Sequence, residues 1–257
     1  MIRAVAFDLW ETLITDTPVL SRQQERQRLH RLEETLRVHG YGATAERIES
    51  AYRDTWSRCQ ELYWSNDDDV PCRKQIDHML EALELDPRTF SADALGQLED
   101  AYAEAVVTIP PQPVPHAGES VTALRKRGLR IGLISNTGRS PGRALRRVLH
   151  DMGIGASINA MVFSDEHGAC KPRRSIFEAL REQLGLPFEE IAFVGDNIYA
   201  DVHGSMQCGM FGIHFRPPMR GTAVAPDVDH GLQIIPDATI ADLRELAAVI
   251  EGLQGDS

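Results

Sequence analysis

Short apolar runs alternate with segments of helical spacing over most of the second half of this chain, and one such run also opens it. The opening run, Ile2–Phe7, is rich in apolar and β-branched residues, which is typical of a buried parallel strand. The later strand-like runs are Leu129–Ile134, Ala160–Phe163, Ile191–Val194 and Phe211–Phe215. The helical segments that separate them are Glu119–Arg127, Pro141–Met152, Ser175–Leu184 and Asp201–Met210. This alternation predicts parallel βαβ units, and therefore an α/β fold with a doubly wound, Rossmann-like sheet.

Residues 15–115 interrupt this alternation, because helical spacing continues there without a strand-like run. The predicted helices are Ser21–His39, Thr44–Ser65, Arg73–Leu85 and Ala92–Val107. Four prolines between positions 110 and 115 predict a stiff connector after them. We therefore expect an all-α domain at 15–115, inserted into a core formed by residues 1–14 and 116–257. The C-terminal part is predicted to contain a loop at Gly221–Pro226, a strand at Gln233–Ile235 and a helix at Ile240–Ile250.

Within the helical insertion, aromatic residues cluster near the end of the second predicted helix. Trp56, Tyr63 and Trp64 have spacings that permit a shared face, and we expect them to pack in the core of this domain. A wall that faces the substrate is the alternative interpretation. The acidic run Asp67–Asp69 is predicted to be a solvated loop.

Charge and cysteine content exclude several classes of protein. The 38 acidic and 27 basic residues give a formal net charge of −11, without the excess of Lys and Arg that nucleic-acid binding requires. No apolar stretch approaches the length of a membrane span, and the N-terminus lacks the features of a signal peptide. The four cysteines form no CxxC pair, which is typical of free thiols in a reducing cytosol. We therefore expect a cytoplasmic protein, monomeric or homodimeric, with a small-molecule substrate and no nucleic-acid or membrane partner.

The predicted strands end at residues that can carry chemistry, and ligands of open α/β sheets bind at these carboxyl ends. The residues concerned are Asp8 after the first strand, Ser135 and Asn136 at the second, Lys171 beyond the third, and Asp196 and Asp201 after the fourth. Three carboxylates at one edge would repel one another without a cation, and oxygen ligands suit Mg²⁺. A lysine beside such an ion would make the site attractive to a phosphoryl group despite the acidic surface.

This constellation resembles the haloacid dehalogenase superfamily. Its four motifs are similar, in order, to FDLWETL (Phe7–Leu13), LISN (Leu133–Asn136), CKP (Cys170–Pro172) and VGDNIYAD (Val194–Asp201). The helical insertion resembles the C1-type cap domain of the largest subgroup of that superfamily. Each motif alone is a weak signal, but four in order at predicted strand ends are a specific one.

The resemblance implies a role for each matching residue. Asp8 would be the covalent nucleophile, and Lys171 would steady it together with the charge that develops in the reaction. Ser135 would hydrogen-bond the transferred group, with Asn136 and Lys171 also contacting the substrate. The Mg²⁺ ligands implied by the family are Asp8, the backbone carbonyl of Trp10, Asp196 and Asp201. Asp201 is also expected to cap the helix that follows it.

The first motif departs from that of the family's phosphatases at Trp10, where those enzymes have a second Asp. That Asp protonates the leaving oxygen and then activates water. A positioned acid or base contributes about 10²–10⁴-fold in rate, so a poor leaving group would react slowly here. Glu11 is the candidate replacement for the missing acid.

Three interpretations of this departure follow. The first and favoured one is a phosphatase of a small phosphorylated metabolite, in which Glu11 or the substrate supplies the proton or the leaving group needs none. The second is a 2-haloacid dehalogenase, because halide leaves unprotonated and the dehalogenases of the family carry an aromatic residue at this position. Those enzymes replace the leading acid of the fourth motif and need no metal, whereas Asp196 and Asp201 are both present. The third is a degenerate member that binds a ligand or partner without turnover.

Overall fold

The computed structural model describes residues 1–217, 221 and 231–255. Six strands form a central sheet in the order β5-β4-β1-β6-β7-β8, and all neighbouring pairs are parallel. These strands are β1 (Ala4–Phe7), β4 (Arg130–Ser135), β5 (Ala160–Phe163), β6 (Ile191–Gly195), β7 (Phe211–Phe215) and β8 (Ala238–Ile240). The predicted doubly wound α/β fold is therefore confirmed.

Both faces of the sheet are covered by helices, which explains why its strands are largely apolar. In β1, Val5 and Phe7 point to one apolar core, and Ala4 and Ala6 point to the other. The helices of this part of the chain are α6 (Ala117–Lys126), α7 (Gly142–Asp151), α8 (Ser164–His167), α9 (Arg174–Leu184), α10 (Gly204–Cys208) and α11 (Leu246–Gly255).

The C-terminal part differs from the expectation. Residues Gln233–Ile235 form no strand; the last strand is β8, and a 3₁₀ turn at Leu243–Glu245 separates it from α11. A carboxylate at Asp242 caps this turn in a capping box with Glu245, so the helix begins later than predicted. The predicted loop at Gly221–Pro226 lies outside the described residues except for Gly221.

The helical insertion has an apolar core of its own. Its helices are α1 (Pro18–Val38), α2 (Ala45–Leu62), α3 (Cys72–Ala82), α4 (Ala92–Ala103) and α5 (Ala105–Thr108). Leu32, Tyr52, Ile76 and Leu98 belong to a buried cluster that α1–α4 share. A two-stranded antiparallel ribbon, β2 (Ile14–Thr15) with β3 (Gln112–Pro113), connects the insertion to the sheet. The separate core favours the predicted division into core and cap, which stays a prediction.

Strand register brings several loops to one edge of the sheet. Phe7 pairs with Leu133 on one side and with Val194 on the other. The chain segments that follow β1, β4 and β6 therefore leave the sheet side by side. No helix in the described part of the chain is long and apolar enough to cross a membrane.

Candidate active site

A cavity of about 490 Å³ lies at the carboxyl ends of β1, β4 and β6. Its walls combine the loops that follow these strands with residues of α2 and of the turn after it. The lining residues used below are Asp8, Trp10, Trp56, Trp64, Asp67, Asn136, Thr137, Arg139, Lys171, Asp196 and Asp201. The sheet therefore supplies one part of this cavity and the helical insertion supplies another.

Lys171 is the centre of the polar network at the floor of the cavity. Its Nζ donates a hydrogen bond of 2.5 Å to Asp8 Oδ1 and lies 2.7 Å from Asp201 Oδ1. It also donates to the backbone carbonyl of Ile134 at 3.1 Å. All three charged side chains are buried, so their interactions are weakly screened by solvent.

Burial and charge set the protonation of these groups. Burial raises the pKa of Asp8 to about 7, against the opposing effect of the Lys171 ammonium. Burial by itself would lower the pKa of Lys171, but the carboxylates of Asp201 and Asp8 together raise it above its ordinary value. Lys171 is therefore held as a cation beside the proposed nucleophile.

The acidic residues at this end of the cavity fit a divalent metal ion. Carboxylate oxygens of Asp8, Asp196 and Asp201 all lie within 4.8 Å of one another. Each of these side chains is buried, and the buried ammonium of Lys171 pairs with two of them, Asp8 and Asp201. Clustered carboxylates repel one another, a cation among them relieves this repulsion, and oxygen donors are the ligands that Mg²⁺ prefers. A backbone ligand from Trp10 stays a prediction.

Asp201 is held in place by the turn that follows β6. Its Oδ2 accepts a hydrogen bond of 2.9 Å from the backbone N–H of Asn197. A Cβ atom on Gly195 would lie 2.3 Å from Asp201 Cγ, so only glycine permits this close approach. The residue that caps the following π-helical turn, Ile198–His203, is Asn197 and not Asp201 as expected, because the Asn197 side chain accepts from the N–H groups of that turn.

Comparison with known proteins identifies the family. The sequence model of the haloacid dehalogenase-like hydrolases matches residues 2–208. The chain belongs to the haloacid dehalogenase-like hydrolases. The resemblance inferred from the four motifs is thereby confirmed.

The relatives and similar structures with known names include a phosphatase and a dehalogenase. The chain is 28% identical over 218 residues to the glyceraldehyde 3-phosphate phosphatase of Pyrococcus abyssi, with 84% of this chain and 82% of that protein covered. The 2-haloacid dehalogenase of Pseudomonas syringae pv. Tomato DC3000 has a similar structure, with a TM-score of 0.69, 23% identity and coverage of 98% and 100%. The magnesium-bound HAD-hydrolase YfnB of Bacillus subtilis has a TM-score of 0.58, 17% identity and coverage of 97% and 99%. These two structural likenesses show the fold alone.

In this hydrolase, the second motif is arranged differently from the expectation. Ser135 is fully buried and is not among the cavity-lining residues; its Oγ lies 3.4 Å from the carbonyl of Asn136. Asn136 does line the cavity, and its amide also pairs with the backbone of Lys171, accepting from the N–H at 2.8 Å and donating to the carbonyl at 3.1 Å. Asn136 therefore fixes the loop that presents Lys171, and the contact between Ser135 and the transferred group stays a prediction.

Glu11 lies outside the cavity, although the sequence suggests it as the proton donor. Its side chain is buried rather than solvated, with 1% of the residue exposed. Its carboxylate accepts hydrogen bonds from Thr15 Oγ at 2.9 Å and from the N–H of Gly221. With a φ of 58°, the residue makes the left-handed turn after Trp10, and this turn directs the side chain toward the β2 segment.

The acidic loop of the insertion is docked through Asp69, which is buried and not solvated as predicted, whereas Asp67 and Asp68 are partly exposed. Asp69 accepts hydrogen bonds from Trp64 Nε1 at 2.7 Å, from Ser164 Oγ at 2.5 Å and from Thr137 Oγ at 3.2 Å. Burial raises the pKa of this carboxyl. Asp69 therefore joins the cap to the β4 loop, and it positions Trp64 and Thr137, which both line the cavity.

The prediction that the indoles pack in the core of the insertion is wrong. Trp56 and Trp64 both line the cavity, with ring centroids 4.6 Å apart. Tyr63 instead contacts His78, with 3.0 Å between Oη and Nε2. Arg139, in the loop after β4, is a cavity residue that sequence reasoning missed altogether. Nothing in residue spacing marks it, because it lies in a loop without periodicity.

Proposed function

We propose that this hydrolase is a Mg²⁺-dependent phosphatase that acts on a small phosphorylated metabolite through a covalent aspartyl intermediate. The observation that carries the proposal is the buried Lys171 ammonium, held between Asp8 and Asp201 in a cavity that Asp196 also lines. An aspartate that only capped a turn at a strand end would not require a buried lysine and two further carboxylates beside it. The name of the Pyrococcus abyssi relative, a phosphatase of a small phosphorylated substrate, agrees with it.

The proposed chemistry begins with Asp8. One of its carboxylate oxygens forms a bond to phosphorus while the bond from phosphorus to the leaving oxygen breaks. Water then attacks phosphorus, which releases inorganic phosphate and regenerates the carboxylate. Lys171 orients Asp8 through the bond to Oδ1 and stabilises negative charge near it. Asp8, Asp196 and Asp201 would hold Mg²⁺, which supplies positive charge for the phosphoryl oxygens when bound.

The acid cluster favours this chemistry over dehalogenation. Displacement of halide by Asp8 needs no cation, and without one the three buried carboxylates repel one another. The cavity wall contributed by the insertion would exclude water from the reacting atoms when it is closed over a substrate. Only a measurement of turnover can separate this phosphatase from the non-catalytic alternative, a member that binds a ligand without hydrolysing it.

We expect phosphate release from members of a phosphorylated-metabolite panel in the presence of Mg²⁺, and loss of that release when the metal is removed by a chelator. The measurement is inorganic phosphate, with halide release from 2-haloacids assayed in parallel. Chloride or fluoride release without phosphate release would replace the proposal by dehalogenation. Release of neither would favour a binding function.

Magnesium is also expected to stabilise the fold, because a ligand that binds only the folded state shifts unfolding by mass action. At 100 times its dissociation constant, Mg²⁺ should raise the melting temperature by about 5–10 °C. Asp196→Asn should reduce this shift, since it removes one carboxylate of the cluster. Asp165→Asn is the matched control: Asp165 is equally buried but accepts from the N–H of Gly142 and does not line the cavity. An unchanged melting temperature at millimolar Mg²⁺ would contradict the metal site.

A further inference from the structure

Arg139 lies in the cavity wall, and no carboxylate within residues 1–217, 221 and 231–255 forms an ion pair with it. Its guanidinium carbon lies 3.9 Å from the ring centroid of Tyr52 and 4.6 Å from that of Trp56. Its Nε is shielded from solvent and has no hydrogen-bond partner among the described residues. By contrast, the three arginines of the neighbouring helix α7 each pair with an acidic residue: Arg143 with Asp100, Arg146 with Glu166 and Arg147 with Glu104.

The way in which Arg139 is held leaves its hydrogen-bonding capacity unused. Stacking on Tyr52 and Trp56 occupies the faces of the guanidinium, whereas its N–H donors lie in its plane and point outward from its edge. Ring faces attract the cation but do not neutralise it as a carboxylate would. A buried donor without a partner carries a free-energy cost that a bound acceptor removes. The edge of Arg139 therefore suits an oxyanion, which can bind in the bidentate manner.

The surroundings of Arg139 indicate what the oxyanion would be attached to. The sequence contains three tryptophans, and all three, Trp10, Trp56 and Trp64, line the cavity that Arg139 shares with Lys171. A phosphoryl group at Lys171 accounts for one positive charge of the cavity and leaves that of Arg139 unused. The indole rings that line the same cavity favour a flat, apolar group over a hydrated chain.

We propose that Arg139 binds a second oxyanion of the substrate, a carboxylate or a second phosphate, carried on an aromatic leaving group. This assignment rests on the proposed phosphatase function and specifies its substrate class. Arg139 acts on binding and specificity and takes no part in bond breaking. The same contact also joins the β4 loop to α2, since Trp56 and Tyr52 belong to that helix.

The first test compares phenyl phosphate with meta- and para-carboxyphenyl phosphate and with the bisphosphate of hydroquinone. In the wild type, at least one doubly anionic substrate should exceed phenyl phosphate in kcat/KM by about 10- to 100-fold, the usual effect of a charge-assisted hydrogen bond. Arg139→Gln should bring this ratio close to one, mainly through KM. Dividing the ratio for the wild type by that for the variant cancels the intrinsic reactivity of each leaving group. Preference for a carboxyphenyl phosphate would identify the second oxyanion as a carboxylate, and preference for the bisphosphate would identify it as a phosphate.

Matched variants distinguish binding by Arg139 from a general effect of lost charge or lost packing. Arg143→Gln makes the same chemical change four positions along, at an arginine paired with Asp100 outside the cavity, and should keep the wild-type ratio. Arg139→Lys keeps the charge without the planar fork and should restore part of the preference. If Arg139→Gln does not fold, Arg139→Lys tests the assignment in its place. Its kcat/KM ratio of doubly anionic substrate to phenyl phosphate should then lie between one and the wild-type value.

The second test needs no turnover. Because every tryptophan of the chain lines the cavity, intrinsic fluorescence should report its occupancy. In Asp8→Asn, which cannot form the intermediate, the preferred doubly anionic ester should bind about 10- to 100-fold more tightly than phenyl phosphate, and Arg139→Gln in that background should abolish the difference. If the wild type releases phosphate neither from these esters nor from the metabolite panel but the binding preference persists, the phosphatase proposal fails and the Arg139 site stands. Equal binding of singly and doubly anionic esters, or a preference that survives Arg139→Gln, would overturn the inference.

Discussion

Replacing Asp8 by Asn is expected to lower phosphate release by about 10⁴-fold or more, because an amide cannot form the covalent intermediate. The change is nearly isosteric, so the shape of the cavity floor should be kept. It also removes one of three carboxylates that repel one another, while Lys171 retains its ion pair with Asp201. We therefore expect the folded state to survive, as measured by thermal unfolding and circular dichroism.

Asp165→Asn provides the control for this experiment as well. Asp165 is a buried aspartate of similar exposure whose carboxylate accepts from the backbone N–H of Gly142 and does not itself line the cavity. Its amide variant should keep phosphate release within a few-fold of the wild type, since an amide oxygen can still accept that bond. Hydrolysis retained within a few-fold by folded Asp8→Asn protein would exclude the covalent mechanism.

The positions of Asp8 and its partners could be predicted because topology alone brings them together. Parallel strands end at one edge, so identifying β1, β4 and β6 was sufficient to bring Asp8, Asn136 and Asp196 to one place. Strand bounds were predictable where an apolar run has clear polar limits: Ala160–Phe163 and Phe211–Phe215 were predicted with the bounds that the structure shows.

Local geometry was harder to predict than topology. The capping role assigned to Asp201 belongs to Asn197, because the turn after β6 is π-helical and directs the Asp201 carboxylate back to Gly195 and Lys171. Glu11 follows Trp10 in the sequence, but its left-handed backbone conformation directs the side chain away from the cavity. Both differences arise from backbone conformations that residue spacing does not reveal.

The cap side of the cavity could not be predicted because it depends on contacts between distant segments. Asp69 is buried because Trp64, Thr137 and Ser164 surround its carboxylate. Thr137 lies in the loop after β4 and Ser164 begins α8, so both belong to the sheet domain and not to the insertion. Arg139 lies against α2 for the same reason. Spacing within a helix indicates which side chains share a face, but not whether that face meets the cap core or a cavity.

The wild-type rate is expected to depend steeply on the acidity of the leaving group, because Trp10 occupies the place of an acid. The indole lines the cavity, and its N–H is too weakly acidic to act as a general acid toward an alkoxide. Aryl and acyl phosphates, whose leaving groups need little protonation, should be hydrolysed well, and simple alkyl phosphates poorly. The measurement is the slope of log kcat/KM against leaving-group pKa over a series of aryl and alkyl phosphates.

A general acid contributes about 10²–10⁴-fold to the rate, and Trp10→Asp should recover part of this contribution, chiefly on alkyl phosphates. Trp10→Asn is the matched control, since it opens the same space without supplying an acid. Loss of the indole removes packing against the apolar core beside β1, so both variants should be less stable than the wild type. The rate of Trp10→Asp relative to Trp10→Asn therefore isolates the contribution of the carboxyl group.

A flat dependence on leaving-group pKa in the wild type would indicate another proton donor. Apart from Asp8, Asp196 and Asp201, the carboxyl group that lines the described cavity is that of Asp67, on the docked loop of the insertion. Asp67→Asn should then steepen the slope, whereas Glu11→Gln should change it little, because Glu11 is bonded to Thr15 and Gly221 outside the cavity. A flat slope that neither substitution changes, together with equal rates for Trp10→Asp and Trp10→Asn, would show that protonation of the leaving group does not limit this enzyme.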